Sequence, residues 1–306
     1  MLTRENKLVI IILCVATVVL GVGFKRNPEP TPTPDPVVIP EPEPPEPDPE
    51  PEPEPPPPDP EPEPIPPPPV PPEPVAVNYF PVKKWRTYKE ETIYTEILSR
   101  SKTPFQKTGR NSTNAHETVH GIHNELRNSD KETRDNWFYI VNVGAIPFPE
   151  PNFTKDKVNP YVPEELREFR YKTYLLGAEG WNDRPLYLMD EWVAYYNGGA
   201  TAVDQVERND YKGGRVGAVS GILEFSIYCT ALLMAIEDLD PEYFEKNPQF
   251  KPFIKEQMVR CREIFMKGYK MKEFKGFRQE EYLDKLRSDD KIGRYMRDNL
   301  GNPWNL

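Results

Sequence analysis

Between residues 27 and 75 the chain places 27 of its 39 prolines, interleaved with 13 Asp or Glu and with no Lys or Arg. Proline lacks the backbone N–H that helix and sheet ladders require, and this stretch has almost nothing apolar to bury. It is therefore expected to be an extended polyproline II rod, in which repulsion among the carboxylates favours extension. Its 49 residues, at about 3.1 Å each, would reach on the order of 150 Å. The bland role is a spacer; the alternative is a docking site for proline-binding modules.

Setting the rod aside changes what the composition means. The whole chain has 49 acidic and 39 basic residues and a net charge of −10; outside the rod 36 acidic residues face 39 basic ones, near +3. The acidity describes the rod and carries no message about a charged partner. With no basic stripe and no reader motif, no nucleic-acid role is expected. The 231 residues from 76 to 306 hold all five tryptophans, enough for one well-buried domain. Cys229 and Cys261 lie in that part, either paired or as two buried thiols, and Cys14 lies near the N-terminus. No CxxC or zinc-finger spacing is present.

Residues 8–24 form a 17-residue uncharged run, preceded by Arg4 and Lys7 and followed by Lys25 and Arg26. That is the lower limit for a membrane-spanning helix, and it reads as a single-pass anchor. A cleaved signal peptide is the competing reading, since Gly21 and Gly23 offer a small-x-small site. With the N-terminus inside, the rod and domain would stand outside the cytoplasm, in the periplasm or at the cell surface.

The domain reads as α+β, predominantly helical with a small sheet. Residues 92–98 and 137–143 have the β-branched and aromatic content of strands. Between them residues 115–128 form a helix, with N-cap chemistry supplied by Asn111, Ser112, Thr113 and Asn114. Pro147, Pro149, Pro151 and Pro160 mark an ordered loop. Pro185 suits the opening of a short helix over 186–199, and Asn197, Gly198 and Gly199 suit its stop. Residues 216–236 are strongly apolar around Glu224 and are expected to be a core helix in preference to a second membrane span. Residues 248–300 alternate apolar and charged positions at helical spacing.

The chemistry gathers on the helix 115–128. His116 and His120 are four residues apart, so they share a face and can direct both imidazoles at one metal ion, with Glu117 beside them. All three histidines of the chain fall between positions 116 and 123. A divalent zinc held this way lowers the pKa of its water to about 7, and a neighbouring carboxylate can accept the proton and return it to a leaving amine. Glu117 is the candidate general base. His123 sits about 10 Å further along the axis than His116 and is expected to support the site, face substrate or simply pack, without ligating.

The pattern His116, Glu117, His120 resembles the HExxH motif of the zincin metallopeptidases. The resemblance implies a zincin-like catalytic domain, zinc as cofactor and hydrolysis of a protein or peptide substrate. The three-histidine branch does not fit, because Leu126 occupies the position ten after His116. A carboxylate from a second helix, as in the gluzincin branch, is then implied. Glu191 is the candidate third ligand, because it lies in an apolar, aromatic stretch where an unpaired carboxylate is costly. Glu224, otherwise explained by pairing with an arginine such as Arg215, is its rival. Asp190 is placed to support a ligating histidine. Tyr187 and Tyr195, four residues either side of Glu191, are candidate catalytic phenols that stabilise an oxyanion. The reading is a membrane-tethered zinc metallopeptidase. Its alternatives are a non-catalytic envelope or cell-wall binding protein and a zinc hydrolase of peptidoglycan peptides.

Overall fold

The computed structural model describes residues 75–168, 170–212 and 217–305. The apolar run 8–24 with Cys14, the rod up to residue 74, and Arg215 lie outside the described residues. Within them, eight α-helices and one two-stranded sheet make a predominantly helical α+β unit.

The segment expected to be the first strand is a helix, α1 (Ile93–Arg100), and the reason is its cap. The Thr92 hydroxyl accepts from the Thr95 amide at 3.1 Å, and the Thr95 hydroxyl accepts from the Thr92 amide at 2.9 Å. This reciprocal box satisfies two orphan donors and overrides the β-branched composition. Helix α2 (Asn111–Ser129) starts earlier than expected, and Arg110 at its cap offers no side-chain bond. Asn114 is inside the helix instead, where its Oδ1 accepts from the Thr108 amide and hydroxyl and fastens the preceding loop.

Strand β1 (Asn136–Ile140) falls where a strand was expected and pairs antiparallel with β2 (Gly144–Phe148), from Asn136 opposite Phe148 to Ile140 opposite Gly144. The prolines had pointed to a loop here. Ala145 exchanges backbone bonds with Phe80 on its outer edge, so by two-residue alternation Pro147 also turns its missing donor away from β1. The other edge of β1 is closed by side chains. His123 Nε2 accepts from the Tyr139 amide, Asn197 Oδ1 accepts from the Val141 amide, and Asn197 Nδ2 donates to the Tyr139 carbonyl, all at 2.9 Å.

Helix α3 (Tyr187–Glu207) does not stop at Asn197, Gly198 and Gly199 but runs through them. A Cβ on Gly198 would lie 2.9 Å from the Ser112 carbonyl oxygen and 3.3 Å from His116 Cβ. The bare glycine lets α3 lie directly on α2 beside the first histidine, a packing role that outweighs its poor helix propensity. Helix α4 (Ala218–Leu239) is long and apolar enough to cross a membrane by composition, yet its apolar window is entirely buried inside the unit. α3 and α6 (Phe250–Tyr269) pack on it, as do α7 (Gln279–Arg287) and α8 (Lys291–Leu300), with the short α5 (Glu242–Lys246) between α4 and α6. Each Leu, Ile or Phe that α4 buries contributes roughly 1.5–3 kcal/mol. Cys229 on α4 and Cys261 on α6 are buried free thiols, not a disulfide.

Candidate metal centre

Helices α2 and α3 pack closely, and their contact brings His116, His120 and His123 of α2 together with Asp190, Glu191 and Tyr195 of α3. His116 Nε2 and His120 Nε2 are 3.1 Å apart, and Glu191 Oε2 lies 3.5 Å from the first and 3.7 Å from the second. A tetrahedral ion with bonds of about 2.05 Å has ligand atoms about 3.3 Å apart, so these three edges match its face. Glu191 is 2 % exposed, and its Oε2 receives no hydrogen bond. An unpartnered buried carboxylate oxygen is costly, and a cation at the centre of the triangle would remove that cost. A hydrogen bond between the two rings would explain the shortest edge but leaves Oε2 without a donor. His116 and His120 keep 13 % and 17 % of their side-chain surface, so the cluster lies close to the protein surface.

Asp190 organises the rings from behind. His120 Nδ1 lies 2.5 Å from Asp190 Oδ2, and His123 Nδ1 donates to Asp190 Oδ1. Since a carboxylate only accepts, a neutral His120 carries its proton on Nδ1 and turns the Nε2 lone pair to His116 and Glu191. His123 is buried, with one nitrogen on Asp190 and the other on the Tyr139 amide, so it braces the carboxylate and has no free lone pair. His120, His123 and Asp190 are also close enough to hold an ion, but these hydrogen bonds account for their approach.

Charge follows the same geometry. Burial would raise the Asp190 pKa, but His120 and His123 hold it well below the usual carboxylate range. Burial likewise opposes ionisation of Glu191, and His120 and His116 bring its pKa down to about 2. His120 is held well above its ordinary value despite burial, by Asp190 and Glu191. A cluster with this much negative charge behind and between its imidazoles is suited to a divalent cation.

The aromatic groups surround the triangle. The Tyr195 ring lies 4.8 Å from the His116 ring, edge to face. Its hydroxyl accepts from Arg170 Nε at 3.2 Å and shares a hydrogen bond with the Tyr174 hydroxyl at 3.1 Å. A Cβ on Gly221 would meet the Tyr195 ring at 2.3 Å, so that glycine makes the ring's room. Tyr187 stacks on Trp181, and burial and the nearby Glu191 carboxylate push its phenol far above the ordinary range. Glu117, one residue past His116, is half-buried and is engaged by no hydrogen bond or ion pair among the described residues.

Glu224 is not part of the cluster. Its Oε2 takes Arg170 Nη1 at 2.6 Å and its Oε1 takes the Tyr228 hydroxyl at 2.7 Å, so both oxygens are used. Three residues invisible as site residues in the sequence complete the surroundings. Arg170 and Tyr174 reach Tyr195 from a segment whose residues Tyr171–Leu176 form one π-helical turn. Lys155, 1 % exposed, donates to the Tyr174 and Leu175 carbonyls at 2.5 and 2.8 Å and so ties off that turn, and burial pushes its pKa down to about 8. A lone lysine in a proline-marked loop gave no signal of this. Among the described residues no fourth His, Cys, Asp or Glu joins the three converging donors. Comparison with protein-family models, curated proteins and solved structures finds no match to this chain, so the case for its chemistry stands on these residues.

Proposed function

We propose that the chain is a zinc-dependent peptide-bond hydrolase of zincin type, with His116, His120 and Glu191 as metal ligands and Glu117 as general base. The observation that carries this reading is the triangle of Nε2, Nε2 and Oε2 atoms around an orphaned buried carboxylate oxygen. Two imidazoles and one carboxylate suit zinc, and three protein ligands without a fourth are the pattern of a catalytic centre, since structural zinc is usually closed by four.

Zinc there would supply a Lewis acid that lowers the pKa of a coordinated water to about 7 and polarises a substrate carbonyl. The chain's own groups do the rest. Asp190 fixes the His120 tautomer and ring orientation. Glu117, unpaired, is free to accept a proton and pass it to the leaving amine. Tyr195, with Arg170 donating to its oxygen, is polarised as a hydrogen-bond donor for a developing oxyanion, and Tyr187 flanks Glu191 on the other side. Residues 8–24 as membrane anchor and 27–75 as rod would hold this domain away from an extracytoplasmic membrane face.

Metal analysis of the full chain purified without chelators, joined to a digestion assay, tests the reading. One equivalent of zinc and cleavage of an unstructured protein or of purified wall peptides are expected, and Glu117→Gln should keep the metal and lose the cleavage. Wild-type protein free of zinc, or Glu117→Gln with undiminished cleavage, would overturn it.

A further inference from the structure

A second site lies apart from the metal cluster. A cleft of about 610 Å³ opens between the segment 81–92, the length of α1, the β1–β2 turn and Asp204 near the end of α3, and none of the cluster residues lines it. That volume is in the range that holds a drug-sized ligand or a few residues of peptide.

Two polar atoms in its lining have no hydrogen-bond partner. Tyr139 is 2 % exposed, its hydroxyl is unpartnered, and the charges of Glu96 and Arg100, both lining the cleft, act on that phenol. Asp204 Oδ2 is also without a hydrogen bond, with only a 3.6 Å approach from Arg208. Buried polar groups in folded proteins are nearly always satisfied, so two orphans in one cleft point to a ligand that satisfies them.

The charges indicate which ligand. The lining contains Glu90, Glu91, Glu96 and Asp204 against Lys84 and Arg100. Both cations are already committed to Glu96, at 2.8 and 2.5 Å. Among the described residues Glu90 and Glu91 are left without a cation, and Asp204 has only the 3.6 Å approach of Arg208. These carboxylates do not converge on one point as a metal ion requires, since the only groupings of that kind among the described residues are the two on α2 and α3.

We propose that this cleft binds a basic peptide segment, with separate Lys or Arg side chains meeting Asp204 and the Glu90–Glu91 pair while the Tyr139 hydroxyl donates to a peptide carbonyl. The acidic rod of the same chain has the wrong charge to occupy it. Binding here involves no bond cleavage, so it stands or falls separately from the proposed hydrolysis.

The test is fluorescence anisotropy with a fluorescein-labelled Ala-Arg-Arg-Ala peptide, using the full Glu117→Gln chain so that the probe is not cut. Saturable binding is expected, with none for Ala-Glu-Glu-Ala. Asp204→Asn and Tyr139→Phe should each weaken it at least about five-fold, the scale of one hydrogen bond to or near a charge. Binding of the arginine peptide that is unchanged in both variants would assign it to the acidic rod and overturn the proposal, as would equal binding of the glutamate peptide. Should Tyr139→Phe fail to melt like the parent, Asp204→Asn, at a side chain 23 % exposed, decides alone.

Discussion

Asp190 Oδ2 stands 2.5 Å from His120 Nδ1, and this contact determines which nitrogen of the ring faces Glu191. Asp190→Asn keeps the shape but presents an amide that can also donate, so the tautomer is no longer enforced. Zinc affinity is expected to fall about 10–100-fold with the ligands intact. Competition against a chromophoric chelator measures it, and an unchanged affinity would remove Asp190 from the centre.

Gly198→Ala tests the helix contact without touching a ligand. The new Cβ meets the Ser112 carbonyl at 2.9 Å, a rigid backbone atom, so α2 and α3 must separate beside His116. A loss of about 1–3 kcal/mol in a denaturant titration is expected, together with weaker zinc binding. Gly199→Ala is the control, because its nearest obstacle is the tip of the Ile222 side chain, which can move.

The two histidines and the carboxylate were legible in the sequence because each reading used a local rule. His116 and His120 follow from helical periodicity, and Glu191 from the cost of an unpaired carboxylate among aromatics. What remained hidden was set by distant or reciprocal contacts. The Thr92–Thr95 box turned a strand-like segment into α1. Gly198 looked like a terminator, since nothing in its own neighbourhood shows that Ser112 lies against it. The salt bridge that takes Glu224 out of contention comes from Arg170, in a segment with no regular pattern.

Removing that arginine should therefore be costly. Arg170→Met strands Glu224 in the core with only the Tyr228 hydroxyl and withdraws a donor from Tyr195. About 3–5 kcal/mol of stability should be lost, visible as a large fall in Tm. The double variant Arg170→Met with Glu224→Gln should recover part of it.

Glu150 gives the fold a pH dependence of known sign. Burial raises its pKa to about 7, against the hydrogen bonds from Leu186 and Asn136 and the charges of Arg127 and Arg184. The folded state thus holds this proton more tightly than the unfolded chain does. Its contribution is present below about pH 4.5 and is lost as pH rises through about 7, by no more than about 3 kcal/mol. Chemical denaturation at pH 5 and pH 8 should show a flatter slope in Glu150→Gln than in wild type, whatever the offset between them.

The reach from α2 to α3 also orders events in time. The two imidazoles are neighbours on one helix, whereas Glu191 follows His120 by 71 positions, with the whole hairpin and the π-helical turn between. During synthesis the histidines emerge first, and Glu191 joins them only when a long loop has closed and Gly198 has seated on Ser112. An ion captured there would report that closure, and it would add its binding energy to the step on which every later helix of the core is laid down.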